Sequence, residues 1–329
     1  MEKNKRIRKI VNSTKQPSKN CIWLKDGKLY YYGTTGWTEI QGQDKATGVA
    51  TTWTDLDGMK YSGSTITKFP DGLKFAPRTG SCWDMFSNCS NLTEVPLFDT
   101  SKVTNTQGMF YYCNQLTSVP EFDTSSVTNM SNMFYNCRKL ISVPEYDTSN
   151  VTNMSNLFKG CSELESIPLF DTSKVSDMSN MFCDCSKLTS VPLFDTSKVT
   201  NMTNLFKGCS QLTSVPELNT SNATVMSSMF YSCSNLKSVP KLDTSHVNNA
   251  GNLFFGCSHL TTLGGFIGFK TYLNLSDSPL LTHDSLLNVI NEAANVTGNP
   301  KTLTFGATNL AKLTDEEKAI ATNKGWTLK

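Results

Sequence analysis

Eight cysteines recur at an unbroken interval of 24 residues between Met85 and Leu263. They are Cys89, Cys113, Cys137, Cys161, Cys185, Cys209, Cys233 and Cys257. An internal period of this length is typical of solenoid proteins, in which each repeat buries its apolar side against its neighbours. The sequence therefore predicts a repeat solenoid, and each 24-residue unit is called a copy below.

Two apolar residues accompany every one of these cysteines. A phenylalanine stands three residues before it, from Phe86 to Phe254, and a leucine stands three residues after it, from Leu92 to Leu260. Because these positions do not vary while their neighbours do, we expect them to form stacked core ladders. With about eight apolar positions in each copy, the coil should be flattened around a narrow core.

The residues that follow this leucine predict a short strand and then a turn. They read Leu-x-x-Val-Pro, as in Leu188–Pro192, and proline cannot donate to a sheet ladder, so a strand here must end near it. The prolines from Pro96 to Pro240 then mark one corner of the coil. The next residues, Asp-Thr-Ser, have short polar side chains that bond nearby backbone amides and favour a turn.

The full motif resembles a known repeat family. The copy that starts at Asp123 reads Asp-Thr-Ser-Ser-Val-Thr-Asn-Met-Ser-Asn-Met-Phe-Tyr-Asn-Cys-Arg-Lys-Leu. This is similar to the BspA-type leucine-rich repeat, of the kind found in gut Bacteroidetes and their phages, over about 180 of the 329 residues. The resemblance implies a leucine-rich-repeat coil of short β-strands with helical turns. It also implies a surface-exposed adhesion or recognition protein without catalytic machinery in its repeats.

The cysteine ladder has more than one interpretation. Neighbouring strands lie about 4.8 Å apart, which is within reach of a disulfide, but in-register copies point their Cβ atoms the same way. Cysteine is also a good small buried residue. We therefore expect free thiols, and the odd total of 11 cysteines agrees with this. No copy has the paired spacing that zinc requires, so no metal site is expected.

The chain divides into five predicted segments. They are a basic N-terminal tail (1–20), a small β meander that acts as an anchor (21–43), a linker (44–65), the solenoid (66–264) and an α/β C-terminal cap (265–329). The cap is predicted from helix starts at Thr282 and Thr314 and from strands near 273–275, 302–305 and 326–328. Segments 281–290 and 307–327 look like the C-terminal parts of repeat proteins from gut Bacteroidetes and their phages.

The first 43 residues are expected to attach the chain to a partner. Residues 1–20 hold seven Lys or Arg against one acid and lack the apolar stretch of a secretory signal. A disordered leader is the alternative for this tail. Asp26-Gly27 is a strong hairpin signal, and the resulting three-stranded meander is too small to be stable alone. The predicted anchoring residues are Arg6, Arg8, Lys9, Trp23 and Trp37.

No catalytic constellation is evident in the sequence. The histidines His246, His259 and His283 have no partners that suggest a triad, and no phosphate-binding glycine loop occurs. The repeated aspartates, as at Asp99 and Asp123, could attract calcium. Capping of the turn is the simpler explanation for these residues. We expect no enzymatic activity, no cofactor and no metal.

The two residues between each Phe and Cys, here called the turn pair, are the predicted recognition surface. They vary beside invariant neighbours, so we expect that the fold does not dictate them. Aromatic side chains at such positions suit stacking on sugars or packing on a protein. The predicted ligand-binding residues are Tyr111, Tyr112, Tyr135, Tyr231 and Phe255. The alternative is that these rings shield the turn.

These features together favour a phage virion structural protein, a head or tail fibre or decoration protein. It would bind other virion proteins through residues 1–65 and a host cell-surface glycan or protein through its repeats, and it would be a homo-oligomer, as fibres usually are. The alternative is a bacterial cell-surface leucine-rich repeat adhesin. A net charge of +2 gives no reason to expect nucleic acid as a partner, and no apolar run reaches the length of a membrane span.

Overall fold

The computed structural model describes residues 10–12, 22–25, 28–33 and 36–39 by their backbone, and residues 62–63, 67–69 and 79–329 with their side chains. Four strands lie in the first part: β1 (Ile10–Asn12), β2 (Ile22–Lys25), β3 (Lys28–Gly33) and β4 (Gly36–Glu39). They form one sheet in the order β1-β2-β3-β4. The antiparallel pairs β2–β3 and β3–β4 make the meander. β1 pairs parallel with β2, so a strand lies within the predicted tail.

The repeats form a repeat solenoid whose copies stack in sequence order. Adjacent copies are joined by parallel backbone bridges at one position of each copy. The bridged residues are Asn105, Asn129, Asn153, Asp177, Asn201, Val225 and Asn249. At the start of the coil the same ladder widens into a strand pair, β5 (Thr79–Ser81) with β6 (Lys102–Asn105).

The expected strand before the proline is absent from most described copies. There some neighbours are joined by one hydrogen bond, as from Ile141 N to Thr117 O at 3.3 Å, and Ser214 and Ser238 form an isolated parallel bridge. The exception is the last pair, β7 (Ser238–Val239) with β9 (Thr262–Leu263). Gly264 stands there in place of the proline and donates its N–H to Val239 O at 3.0 Å. A strand thus forms where glycine supplies the backbone N–H that proline lacks.

The predicted core ladders are present. The phenylalanines from Phe86 to Phe254 are buried and stack face to face, with ring centroids 5.4–5.9 Å apart. The described cysteines are buried and form no disulfide, as expected. Each thiol of the 24-residue ladder from Cys113 to Cys257 donates to the carbonyl of the phenylalanine in the preceding copy, as from Cys161 Sγ to Phe134 O at 3.1 Å. The ladder therefore joins copies by hydrogen bonds as well as by packing.

The Asp-Thr-Ser turn contains a buried contact that the sequence pattern does not reveal. The aspartate caps the turn as expected: Asp147 Oδ1 accepts from Ser149 N at 3.0 Å and from its Oγ at 2.7 Å. The threonine between them is buried, and Thr148 Oγ1 donates to Asp171 O of the next copy at 2.9 Å. The same bond recurs from Thr100 to Thr244.

The C-terminal residues form larger α/β units that continue the stack. After β8 (Leu242–Asp243) and β10 (Phe266–Ile267) the elements are β11 (Leu273–Asn274), α1 (His283–Glu292), β12 (Lys301–Thr304), α2 (Ala307–Leu310), α3 (Asp315–Asn323) and β13 (Trp326–Leu328). Strands β8 and β10 pair with each other, and β11-β12-β13 form a parallel sheet. Trp326 is buried and stacks on Phe269 at 5.7 Å, so apolar packing continues into this end. In the described part of the chain, none of the helices has the length and apolar character needed to cross a bilayer.

Candidate functional site

The turn pair has one free and one restricted position. The second residue of the pair adopts a left-handed backbone, with φ of 59° at Tyr112, 55° at Asn136, 77° at Gly160 and 62° at Asp184. Glycine and asparagine tolerate this conformation, whereas most side chains do not. The expectation that the fold does not dictate the turn pair is therefore wrong for its second position. The first position carries no such restriction.

Packing between copies limits the second position further. A Cβ on Gly160 would collide with Oδ1 of Asn136, and one on Gly208 would collide with Oδ1 of Asp184. Glycines thus alternate with larger residues because the side chain of one copy lies over the backbone of the next. The exposed variety of this surface comes mainly from the first position of each pair.

The first positions line up along the stacked copies as one surface stripe. The aromatic stripe, as named here, consists of the first-position residues Tyr111, Tyr135, Lys159, Cys183, Lys207, Tyr231 and Phe255, together with Tyr112 from the second position; Cys183 is the buried member. Three of the predicted residues form its first aromatic cluster. Tyr111 stacks on Tyr135 with centroids 4.7 Å apart, and Tyr112 meets Tyr111 edge-on at 4.7 Å and lies 5.5 Å from Tyr135.

The other two predicted residues form a second aromatic cluster. Tyr231 stacks on Phe255 at 4.8 Å, and Phe255 is 45% exposed. This cluster begins four copies after Tyr135, which is roughly 20 Å at the spacing of parallel strands. The structure thus brings the five predicted residues into two clusters on one stripe.

Two lysines on the stripe were missed by reasoning on aromatic residues alone. Lys159 Nζ lies 5.4 Å from the centre of the Tyr135 ring, and Lys207 Nζ lies 5.0 Å from that of Tyr231. Each is a cation–π contact between neighbouring copies. The signal that could have found them is their register, since both occupy the same first position as the tyrosines.

Tyr112 is the unusual member of the stripe. It places a bulky side chain in the left-handed region, at a position where the next copies carry Asn136 and Gly160. For an ordinary L-residue this conformation costs roughly 1–2 kcal/mol. Strain of this kind clusters at functional sites, where the gain lies in the geometry it produces.

Three groups of the stripe, Tyr111, Tyr135 and Cys183, hold their protons more tightly than in water because their pKa values are raised. Burial raises the pKa of Tyr111 and of Tyr135. Burial, aided by the Asp184 carboxylate, raises the pKa of Cys183 to about 12. This thiol is 3% exposed and donates to Asp184 Oδ2 at 3.4 Å, so it is a structural donor rather than a nucleophile.

The other predicted site residues lie elsewhere. Arg6, Arg8 and Lys9 are outside the described residues. Trp23 lies on β2 opposite Tyr30, and Trp37 lies on β4 opposite Tyr32. Their role as anchors stays a prediction.

The three histidines lie at separate places on the surface. His246 and His259 each donate from Nδ1 to a carbonyl of the preceding copy, at 3.0 and 2.7 Å, and His283 Nε2 lies 2.9 Å from Glu317. Within the portion of the chain that the structure describes, no three His, Cys, Asp or Glu side chains are grouped to hold a metal ion.

Comparison with known structures returns leucine-rich repeat proteins. A T. pallidum leucine-rich repeat protein is 17% identical with a TM-score of 0.29, over 72% of this chain and 79% of that one. A protein from Eubacterium ventriosum is 14% identical with a TM-score of 0.32, over 76% and 86%. A leucine-rich cell surface protein from Faecalibacterium prausnitzii is 15% identical with a TM-score of 0.23, over 78% and 97%. Scores this low support no inference about function.

Comparison of the sequence with protein families assigns the repeats to a family. No curated protein matches the chain. The family described as "Mycoplasma protein of unknown function, DUF285" matches residues 80–189 and 152–264, which together span more than half of the chain. An origin in gut Bacteroidetes or in phages stays a prediction. The chain is a member of the DUF285 family.

Proposed function

We propose that this protein is a non-enzymatic recognition protein that binds a glycan or protein through its aromatic stripe. The observation that carries the proposal is Tyr112, whose left-handed backbone places a third ring beside Tyr111 and Tyr135. Asparagine in its place would relieve strain and leave the fold intact, as Asn136 does one copy later. A costly aromatic residue at this point is explained if the ring contacts a ligand.

The backbone supports the stripe in a way that suits binding. The turn-pair amides are held between copies, as by Tyr112 N to Tyr135 O and Asn136 N to Lys159 O, both at 2.7 Å. Side chains on such a ladder lose little freedom when a ligand binds, and a preorganised surface costs less to occupy. Tyrosine is also an amphipathic side chain that is enriched in binding interfaces.

The setting that we propose is a bacterial cell surface, where the protein would act as an adhesin. The support is membership in a family described from Mycoplasma, a cellular bacterium. Attachment to a phage particle through residues 1–65 is the other setting. It stays a prediction, as does homo-oligomerisation, because most of residues 1–65 lie outside the described residues.

The binding proposal is tested with the full chain and paired variants. Tyr111→Ser with Tyr135→Ser removes the main stack, and serine already stands at the first turn position in Ser87. Tyr272→Ser is the control, because Tyr272 is 48% exposed but lies outside the stripe. Binding to a glycan array and to bacterial cells should fall by about tenfold or more in the double variant, since each lost ring removes on the order of 1–2 kcal/mol. Equal binding by all three proteins would overturn the proposal.

The setting is tested separately by fractionation. The protein should be found in the envelope fraction of cells that contain no phage. Its recovery solely from purified particles, together with loss of particle binding on deletion of residues 1–65, would replace the cell-surface setting with the virion setting.

A further inference from the structure

Charges are separated between two corners of the solenoid coil. The first corner, here called the basic edge, comprises the two residues before and the two after each cysteine of the ladder. Its charged residues are Arg138, Lys139, Lys159, Lys187 and Lys207 against Glu163 and Asp184. The aromatic stripe lies on this edge.

The second corner, here called the acidic edge, lies eight to ten residues after each cysteine, between the proline and the Asp-Thr-Ser turn. Its charged residues are Asp99, Glu121, Asp123, Glu145, Asp147, Asp171, Asp195, Glu217 and Asp243 against Lys241. Hydrogen bonds from Ser149 and Ser173 lower the pKa of Asp147 and Asp171 respectively, so these carboxyls remain charged in mildly acidic solution. An anionic partner is thus repelled from this corner.

On the basic edge one of the two acids is offset by an ion pair. Glu163 pairs with Lys187 at 2.5 Å, while Asp184 accepts from Cys183. This leaves Arg138 and Lys139, which follow the first aromatic cluster in sequence, and Lys159 and Lys207 on the stripe itself, against the carboxylate of Asp184. The basic edge therefore carries an excess of positive charge, although the whole chain is close to neutral and two acids lie near the outer ends of the stripe, Asp84 near Tyr111 and Asp277 at Gly256.

The order of groups along the stripe relates the charges to the rings. Lys159 adjoins Tyr135 at the end of the first cluster, and Lys207 adjoins Tyr231 at the start of the second. Because copies stack in sequence order, both lysines lie between the two clusters. A ligand that spans the clusters must pass both ammonium groups.

We propose that the aromatic stripe binds an acidic polysaccharide, whose sugar rings stack on the two aromatic clusters and whose anionic groups lie against Lys159 and Lys207. This inference rests on the proposed function and names its ligand class. A neutral glycan would use the rings alone and gain nothing from the two ammonium groups, which face the single carboxylate of Asp184 between them. A polymer suits the stripe because the clusters are separated by several copies, which is further than one sugar ring reaches.

The test compares charge variants at two separate places on the coil. Lys159→Gln with Lys207→Gln removes the stripe cations. Lys174→Gln with Lys198→Gln is the matched control, because it removes the same charge from the turn that follows the acidic edge. The probes are polygalacturonate and hyaluronan as carboxylate polymers, chondroitin sulfate as a sulfate polymer, and methyl-esterified pectin and dextran as neutral polymers.

We expect at least one acidic polymer to bind the full chain and no neutral polymer to bind as tightly. The stripe variant should lose about tenfold in affinity for that polymer, which is about 1.4 kcal/mol in total, and the control less than about twofold. Binding should also weaken as salt rises from 0.15 to 1 M, because the screening length falls from about 8 to about 3 Å. The carboxylate and sulfate polymers show which anion the lysines accept.

The outcomes separate this inference from the proposed function. If neutral polymers bind as well as acidic ones and only Tyr111→Ser with Tyr135→Ser weakens them, the ligand class is wrong and the recognition site stands. The same holds if a protein binds the stripe and no polysaccharide does. If the chain instead self-associates in ultracentrifugation and the lysine variant abolishes this, the acidic edge of a second copy occupies the basic edge and the inference is overturned. If the control variant also loses binding, the effect depends on the total charge of the chain and not on the stripe lysines. That result would also overturn the inference.

Discussion

Lys159 covers one face of the Tyr135 ring from the neighbouring copy, with Nζ 5.4 Å from the ring centre. The same relationship joins Lys207 to Tyr231 at 5.0 Å. An exposed cation–π contact contributes about 0.5–1 kcal/mol, so these pairs orient the lysines more than they stabilise the coil. The repeat thus positions cations and rings together at two points of one surface.

Tyr112→Asn should separate binding from stability. Asparagine tolerates the left-handed backbone better than tyrosine, which offsets the loss of the edge-on contact with Tyr111. We expect the free energy of unfolding to stay within about 1 kcal/mol of the parent while ligand affinity falls. Urea unfolding and a binding titration check both values. Tyr112→Ala should be less stable than Tyr112→Asn, and the reverse order would contradict the strain argument.

Gly160→Ala should destabilise the solenoid by at least about 1–2 kcal/mol, because alanine at a φ of 77° is strained and its Cβ collides with Asn136. Adding Asn136→Gly should recover part of this loss by removing the collision, while the backbone strain remains. Gly298→Ala is the control, since a Cβ there meets nothing within 4 Å. Urea midpoints measure all of these variants. An unchanged midpoint for Gly160→Ala would show that the turn relaxes.

Stability should fall steeply in alkaline solution. Burial raises the thiol pKa well above its usual range at Cys137 and Cys185, and also raises it at Cys161. In the unfolded chain these thiols lose their protons near pH 8.5, while in the folded chain they keep them. Above about pH 8.5 the folded state therefore binds more protons than the unfolded state. The free energy of unfolding keeps its full value below that pH. Above that pH it falls by about 1.4 kcal/mol per pH unit for each buried thiol.

Urea unfolding at pH 7.0 and 9.5 measures this loss, and Cys161→Ala provides the comparison. That variant should be less stable at pH 7.0 because it leaves a small cavity, but it should lose less stability on the way to pH 9.5. Equal losses in both proteins would contradict the assignment. In the folded protein these thiols should also react slowly with iodoacetamide at pH 8, and rapidly after unfolding.

Thr148→Val should cost about 1–2 kcal/mol. The substitution keeps the shape of the side chain but removes the hydroxyl that donates to Asp171 O at 2.9 Å in a buried site. Thr152→Val in the same copy is the control, because Thr152 is exposed and its bond to Thr128 O is longer, at 3.2 Å. Its effect should stay within about 0.5 kcal/mol in urea unfolding. A similar loss of stability at both sites would show that the buried bond contributes no more than the exposed one.

Two expectations from the sequence were corrected by the contacts between stacked copies. The strand predicted before the proline is missing where proline removes the second donor, and it forms beside Gly264, where that donor returns. The turn pair was expected to be free at both positions, but the left-handed backbone at its second position restricts that residue. Neither point could be found in one copy alone, because both depend on where the neighbouring backbone lies.

The period of 24 residues, with its Phe, Cys and Leu ladders, was enough by itself to determine the solenoid and which residues lie inside it. Identical copies that stack in register must superpose the same side chains, so repetition along the chain becomes repetition in space. The tertiary structure alone decided how the surface is arranged. It placed lysines over tyrosines, gathered five predicted residues into two clusters and separated basic from acidic corners. These relationships depend on the path of the turn and on contacts between copies, which a sequence pattern does not contain.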